Sequence, residues 1–228
     1  MSPRVGPSGP LSRDRIVASA IELADEDGLD AVTMRRVAER LGAGAMSLYR
    51  HVADKDELIG AMVEQVTAEY SYPDATGLGW RECMHILARQ DWASFLAHPW
   101  LLTANATVTP PFGTASLAAM EWALSALEEL QLMPDAAARV IMTMNNYVQG
   151  SARVALGDRQ ADAGDDPGRA WQHRLHDLDL GDFPHLSRLI AHRLPAGERD
   201  WFKGGLDVIL DGVQARQPPH PTQRGIDG

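Results

Sequence analysis

Apolar residues recur along this chain at intervals of three and four, the spacing that gathers them on one face of an α-helix, and no stretch alternates convincingly as a strand does. Ser12 offers an N-cap side chain, Ile16, Ala20, Leu23 and Ala24 follow at helical spacing, and Gly28 stands where that helix closes. Thr33 caps a short second helix ending near Leu41. Gly42-Ala43-Gly44 reads as a turn, and a third short helix covers about Ala45 to Tyr49 or Arg50. Asp54 and Glu57 form a D-x-x-E start signal for a fourth helix with Leu58, Met62 and Val66 on one face.

A break from Tyr72-Pro73 to Gly79 separates these short helices from longer ones. The pattern predicts a helix from about Trp80 to Leu96, a short turn from Trp100 to Thr103 after His98-Pro99, and a helix from about Gly113 to Leu130. Pro134 suits the first position of the next helix, which carries Val140, Ile141, Met144, Tyr147, Val148 and Val154. A polar, acidic loop is expected over Asp158 to Gly168, with helical pieces near Arg169 to Leu178 and Phe183 to Arg193. A last helix spans about Gly197 to Gln214, with Phe202, Leu206, Ile209 and Val213 on one face. The expected fold class is therefore all-α. Residues 1–10 and 216–228, rich in Pro and polar residues, are expected to be a disordered arm and tail.

The 228 residues are 45% hydrophobic and 23% charged, ordinary globular composition that places no limit on a sizeable core. No apolar run is long enough for a membrane span, and Met1 to Pro10 lacks the apolar centre of a signal peptide. Cys83 is the single cysteine, so an internal disulfide is excluded and a reducing, cytoplasmic setting is expected. The net charge of −10 argues against nucleic acid as a partner until its distribution is considered. Between Thr33 and Lys55 there are five basic residues, Arg35, Arg36, Arg40, Arg50 and Lys55, against only Glu39 and Asp54. Acidic runs such as Asp25-Glu26-Asp27 and Asp165-Asp166 are expected to lie away from that positive face.

Three ordered segments carry a resemblance. They are Thr33-Met34-Arg35-Arg36-Val37-Ala38-Glu39-Arg40-Leu41-Gly42, then Ser47-Leu48-Tyr49-Arg50-His51-Val52, then Asp54-Lys55-Asp56-Glu57-Leu58. With them, Leu11 to Val66 resembles the DNA-binding domain of the TetR family of transcriptional regulators. More loosely, His98-Pro99-Trp100 and Asn146-Tyr147-Val148-Gln149-Gly150 make the remainder similar to the C-terminal domain of the tetracycline-repressor subgroup. The resemblance implies a helix-turn-helix DNA-binding domain over 11–70, joined to a larger helical ligand-binding and dimerisation domain over 71–215. It implies a homodimer whose last two long helices pack against their mates, a palindromic operator in double-stranded DNA, and a small-molecule effector that releases it.

The residues suit those roles. Ala38 and Gly42 are small enough for two helices to pack closely at a steep angle. Ser47 and Arg50 have the donors and reach for the major groove, and Arg35 can pair with guanine while Arg36 holds phosphate or solvent. Tyr49 and His51 sit where the family meets the DNA backbone, although Tyr49 can equally cover the small domain's core and His51 can be a core histidine. Thr33 presents a hydroxyl and a helix N-terminus to phosphate, and Lys55 adds its charge to a helix dipole. Gly44 and Ala45 give little side chain for base reading, which shifts sequence choice to Arg35, Ser47, Arg50 and DNA shape.

In the C-terminal half, Trp92, Phe95, Trp100, Met120, Trp122, Met142 and Met144 are candidate walls of a ligand cavity, with ordinary core packing as the competing reading. Asn145, Asn146 and Gln149 are candidate polar anchors, because a buried amide without a partner costs about 1–3 kcal/mol. Gly204-Gly205 in an apolar helix suggests close approach of another backbone, or else a kink or pocket edge. His173 and His176 are three apart but lack an accompanying ligand set, so neither a metal nor a cofactor is expected. His85 and Cys83 point to different sides of a helix, and no nucleotide loop or hydrolase elbow is present. The alternatives to a ligand-released repressor are an activator or ligand-independent regulator, and a carrier or enzyme with a helical N-terminal module.

Overall fold

The computed structural model describes residues 10–106, 113–159, 175, 178–191 and 201–216. Those residues form helices and turns without a strand. Helix α1 spans Arg13–Asp27, α2 Met34–Leu41, α3 Ala45–Leu48 and α4 Lys55–Ala68. Then come α5 (Trp80–Ala97), α6 (Leu101–Ala104), α7 (Thr114–Ala126), α8 (Pro134–Arg159), α9 (Pro184–Ala191) and α10 (Trp201–Ala215).

The caps explain the boundaries of the first four helices. The Ser12 hydroxyl accepts from the Arg15 N–H, Thr33 from Arg36 and Asp54 from Glu57, so each start has an orphan donor satisfied. Glu57 reaches back to the Ala53 N–H, one residue earlier than in a standard capping box. Gly42 adopts the left-handed conformation (φ 65°, ψ 29°) that ends α2 and redirects the chain into α3. The third helix closes at Leu48, a residue or two before the expected end.

Later boundaries differ more. The expected helix over Gly113 to Leu130 is α7 followed by a 3-10 turn at Glu128–Leu130. Helix α8 runs to Arg159, two residues into the expected acidic loop. The rest of that loop, most of the piece near Arg169 to Leu178, and His173 and His176 lie outside the described residues.

One apolar core joins both ends of the molecule. Ile16, Ala20 and Leu23 of α1 meet Val37, Leu48, Leu58 and Met62, each almost wholly buried. Met84, Leu87, Ala88 and Phe95 on α5 belong to the same core as Met144, Val148 and Ala152 on α8, the α5–α8 pairing being the most extensive helix contact. Leu206 and Leu210 of α10 close that layer. Burying such a side chain is worth about 1.5–3 kcal/mol, so these stripes dominate assembly of the bundle.

Polar ties set the position of α10. Asp207 accepts from Arg81 at 3.0 Å and from Lys203 at 2.8 Å, and its oxygen lies 3.0 Å from His85 Nε2. The Lys203 hydrogen bond, then that from Arg81, outweighs desolvation and lowers the Asp207 carboxyl to about 2. Gly205 has a reason within its own chain: a Cβ there would overlap the Tyr147 ring and hydroxyl, whose oxygen lies within hydrogen-bond distance of both the Trp201 and Phe202 carbonyls. The approach expected at the glycine pair is thus that of a Tyr side chain, while Gly204 faces open space.

Two stability predictions follow from these contacts. Gly205→Ala overpacks the α8–α10 contact and costs about 1–3 kcal/mol, read as a lower urea midpoint; an unchanged midpoint would show that Tyr147 moves aside freely. Because Asp207 is depressed in the fold, its contribution is present above the unfolded value of about 3.9 and lost as pH falls towards 2. Asp207→Asn therefore flattens stability against pH between about 4 and 2, measured by urea titration across that window.

Candidate functional site

Helices α2 to α4 and the turns between them carry the candidate DNA-contact residues. Thr33, Arg35, Tyr49 and Arg50 are exposed, while Ser47, His51 and Lys55 are half-buried. Tyr49 is 46% exposed and Leu48 fully buried, so Leu48 fills the core and Tyr49 lies at its surface. Among the described residues, neither Arg50 nor Lys55 forms an ion pair, so both charges are available to an anion. Arg35 pairs with Glu39, one turn along its own exposed face, a hydrogen bond and a charge that raise its pKa.

Arg36 departs from expectation. Its guanidinium pairs with Asp27 at 2.5 Å, and Arg40 pairs with Glu26 at 2.6 Å and Glu22 at 3.3 Å. The acidic run at the end of α1 is therefore not remote from the basic segment. It clamps α2 to α1, leaving Arg35, Arg50 and Lys55 as the positive side chains of the free surface. Such partly exposed pairs contribute modestly to stability, but they fix where charge is absent.

Met46 went unnoticed in the sequence. It is 78% exposed on α3 beside Ser47, an unpaired apolar side chain on the helix that would enter a groove. An apolar side chain there suits a thymine methyl group. The signal was available in Gly44-Ala45-Met46, where two small residues leave Met46 as the first side chain of any length.

The C-terminal candidates separate into different environments. Phe95 is buried and Trp92 is half-buried, its ring 4.3 Å from that of Phe202. Met144 is fully buried core, whereas Met120 and Met142 are exposed. Gln149 donates to Asn145 at 3.0 Å, so these half-buried amides partly satisfy one another, and Asn146 is exposed. Trp122 donates to the Pro73 carbonyl and stacks on Tyr72 with ring centres 4.6 Å apart. Tyr72 falls in the break before the long helices, and its aromatic partner lies fifty residues on, beyond the range of local pattern.

Trp100 links the two halves. Its indole N–H donates to Asp25 of α1 at 2.8 Å, and the same carboxylate oxygen lies 2.8 Å from His98 Nδ1. Nearby, Glu64 of α4 accepts from the Ala115 and Ser116 N–H groups and the Ser116 hydroxyl, capping the start of α7. Arg153 of α8 donates to the Leu102 carbonyl on α6. The Trp100 and Glu64 bonds run between α1 and α4 and the helices of the C-terminal half.

Residues 16–62 match the family model of bacterial regulatory proteins of the tetR family, and residues 72–217 match that of the tetracyclin repressor-like C-terminal domain. The chain is 33% identical to the HTH-type transcriptional repressor DrrR1 of Streptomyces coeruleorubidus, over 93% of this chain and 80% of the relative. It is 29% identical to the class A tetracycline repressor protein from transposon 1721 of Escherichia coli, over 91% and 92%. A crystal structure of the Streptomyces coelicolor TetR family protein ActR in complex with actinorhodin is similar at a TM-score of 0.73 and 30% identity, covering 93% of this chain and 99% of that one. Family models, relative and fold agree: the chain belongs to the TetR family of helix-turn-helix transcriptional regulators, a family without enzymatic activity.

Proposed function

We propose that this regulator is a repressor that binds a palindromic operator as a homodimer and leaves it when a small molecule occupies the C-terminal bundle. The observation that carries the reading is the pairing of an exposed basic face on α2–α4 with bonds that reach from α1 and α4 into the bundle. In this reading residues 11–70 are the DNA-binding domain and 71–215 the ligand-binding and dimerisation domain. Thr33, Arg35, Ser47, Met46, Tyr49, Arg50, His51 and Lys55 meet the DNA. Arg36 acts mainly as a clamp on Asp27. Trp92, Phe95, Asn145 and Gln149 are the best-placed of the expected ligand residues, whereas Trp100 serves the link to α1.

The dimer reading draws on the outer surface of α8 and α10. An open, mostly apolar groove of about 570 Å³ runs between them, lined by Leu132, Ala136, Val140, Val208, Ile209 and Val213. Val208 is 72% exposed there. Apolar surface that water would otherwise cover suits the same two helices of a second copy, in the two-fold arrangement usual for homodimers. Two linked reading heads then require two half-sites at a fixed spacing.

A ligand shifts DNA affinity only by the difference in its affinity for the two states, so the two sites need a mechanical connection. Asp25–Trp100 and Glu64–α7 supply it in this reading.

Selection of sheared genomic DNA by the purified protein tests the proposal. Recovery of a palindromic site that survives raised salt is expected, and only diffuse, salt-sensitive retention would overturn it. On that site, Arg50→Ala weakens binding by about 1–3 kcal/mol with an unchanged melting temperature; unfolding instead would assign Arg50 a structural role. Asp25→Ala keeps operator binding but reduces the effector-induced loss of affinity by about 1 kcal/mol, measured by anisotropy titration with and without a releasing compound.

A further inference from the structure

Three exposed side chains share the outer face of α3 and of the turn that follows it. Leu48 is fully buried and fixes which side of the helix meets the core. Met46 stands two residues earlier, about 200° round the helix from Leu48, and is 78% exposed. Tyr49 and Arg50 follow Met46 by three and four residues, and both are exposed. Tyr49 keeps helical backbone angles (φ −60°, ψ −14°), so the face continues past the last residue of α3. Ala45 and Ser47 are half-buried beside it.

A single exposed methionine is ordinary on a protein surface. Met46 is set apart by its neighbours. Arg50, on the same face, and Lys55, at the start of α4, make no ion pair among the described residues. A polyanion drawn to those charges covers Met46 as well. The residues before Met46 keep the approach open. Gly44 has φ −79° and ψ 139°, angles that any residue adopts. A Cβ there would meet only the Ser47 hydroxyl oxygen at 3.9 Å, an ordinary contact. The fold itself therefore does not require a glycine at 44, and with Ala45 it leaves the start of α3 bare. A bare start lets the backbone come close to base edges, and Met46 is the first side chain long enough to lie along them. A thioether donates no hydrogen bond, but it is flexible and packs well on apolar groups. In the major groove the apolar feature of a base edge is the 5-methyl group of thymine.

We propose that Met46 is a specificity-determining residue, and that it selects the operator through the 5-methyl group of one thymine in each half-site. This deepens the operator-binding reading above and rests on it. Arg50 supplies attraction to the duplex, while the thioether of Met46 closes on the methyl group and excludes water from it. Cytosine at that position offers an amino group and no methyl, so it leaves Met46 against a polar edge.

The test uses the full-length protein and the operator recovered by the genomic selection described above. Each thymine of the half-site is replaced in turn by deoxyuridine, symmetrically in both half-sites, which removes the methyl group and leaves every hydrogen-bonding group in place. At one position the wild type is expected to bind about five- to twentyfold more weakly, the scale of two lost methyl contacts. Met46→Gln, similar in length but polar, is expected to bind the thymine and deoxyuridine operators within about twofold of each other, with an unchanged melting temperature. Met46→Leu is expected to keep the wild-type sensitivity. No sensitive position in the wild type, a half-site without thymine, or a sensitivity kept by Met46→Gln overturns the proposal while operator binding itself stands. A melting temperature lowered by several degrees in Met46→Gln makes the residue structural and also overturns it. Failure to recover any operator overturns the regulator reading together with this one.

Discussion

The apolar core runs unbroken from the reading head into the C-terminal bundle, and α4 is the helix that belongs to both. Leu58 and Met62 on α4 share the core with α1, and Val63 and Val66 continue that core on the helix that also meets α6 and α7. A helix buried on this scale cannot shift at one end alone, because close-packed side chains resist small displacements and move between discrete arrangements. Polar groups add direction to that constraint. Glu64 holds the first turn of α7, and Asp25 receives the Trp100 indole from the corner between α5 and α6. The reading surface is therefore placed by the same contacts that shape the bundle interior.

Charge is arranged to serve that surface. The acidic end of α1 neutralises Arg36 and Arg40, the two arginines most useful for holding α1 against α2. Arg50 and Lys55 remain without such partners among the described residues. A net charge of −10 is thus compatible with binding a polyanion, since the positive charge is local and the negative charge is largely spent elsewhere or used as a clamp.

Much of this was legible in the sequence. Ser12, Thr33 and Asp54 marked helix starts because capping is a local bond between near neighbours, and Gly42 marked a helix end because its left-handed backbone is also a local matter. The basic segment and its order pointed to DNA. Harder to foresee were contacts between distant segments: Arg36 with Asp27, Trp100 with Asp25, Tyr72 with Trp122 and Tyr147 against Gly205. Each turned a residue expected in one role towards another.

The claim that sensing and reading parts form one mechanical unit is tested most directly by pulsed hydrogen exchange across a urea series. Peptides from 13–27 and 55–68 are compared with those from 80–97 and 134–159. The shared core predicts one common midpoint for loss of protection in all four. Earlier loss in the first pair, with the bundle still protected, would contradict it and would make the N-terminal helices an independently folding module.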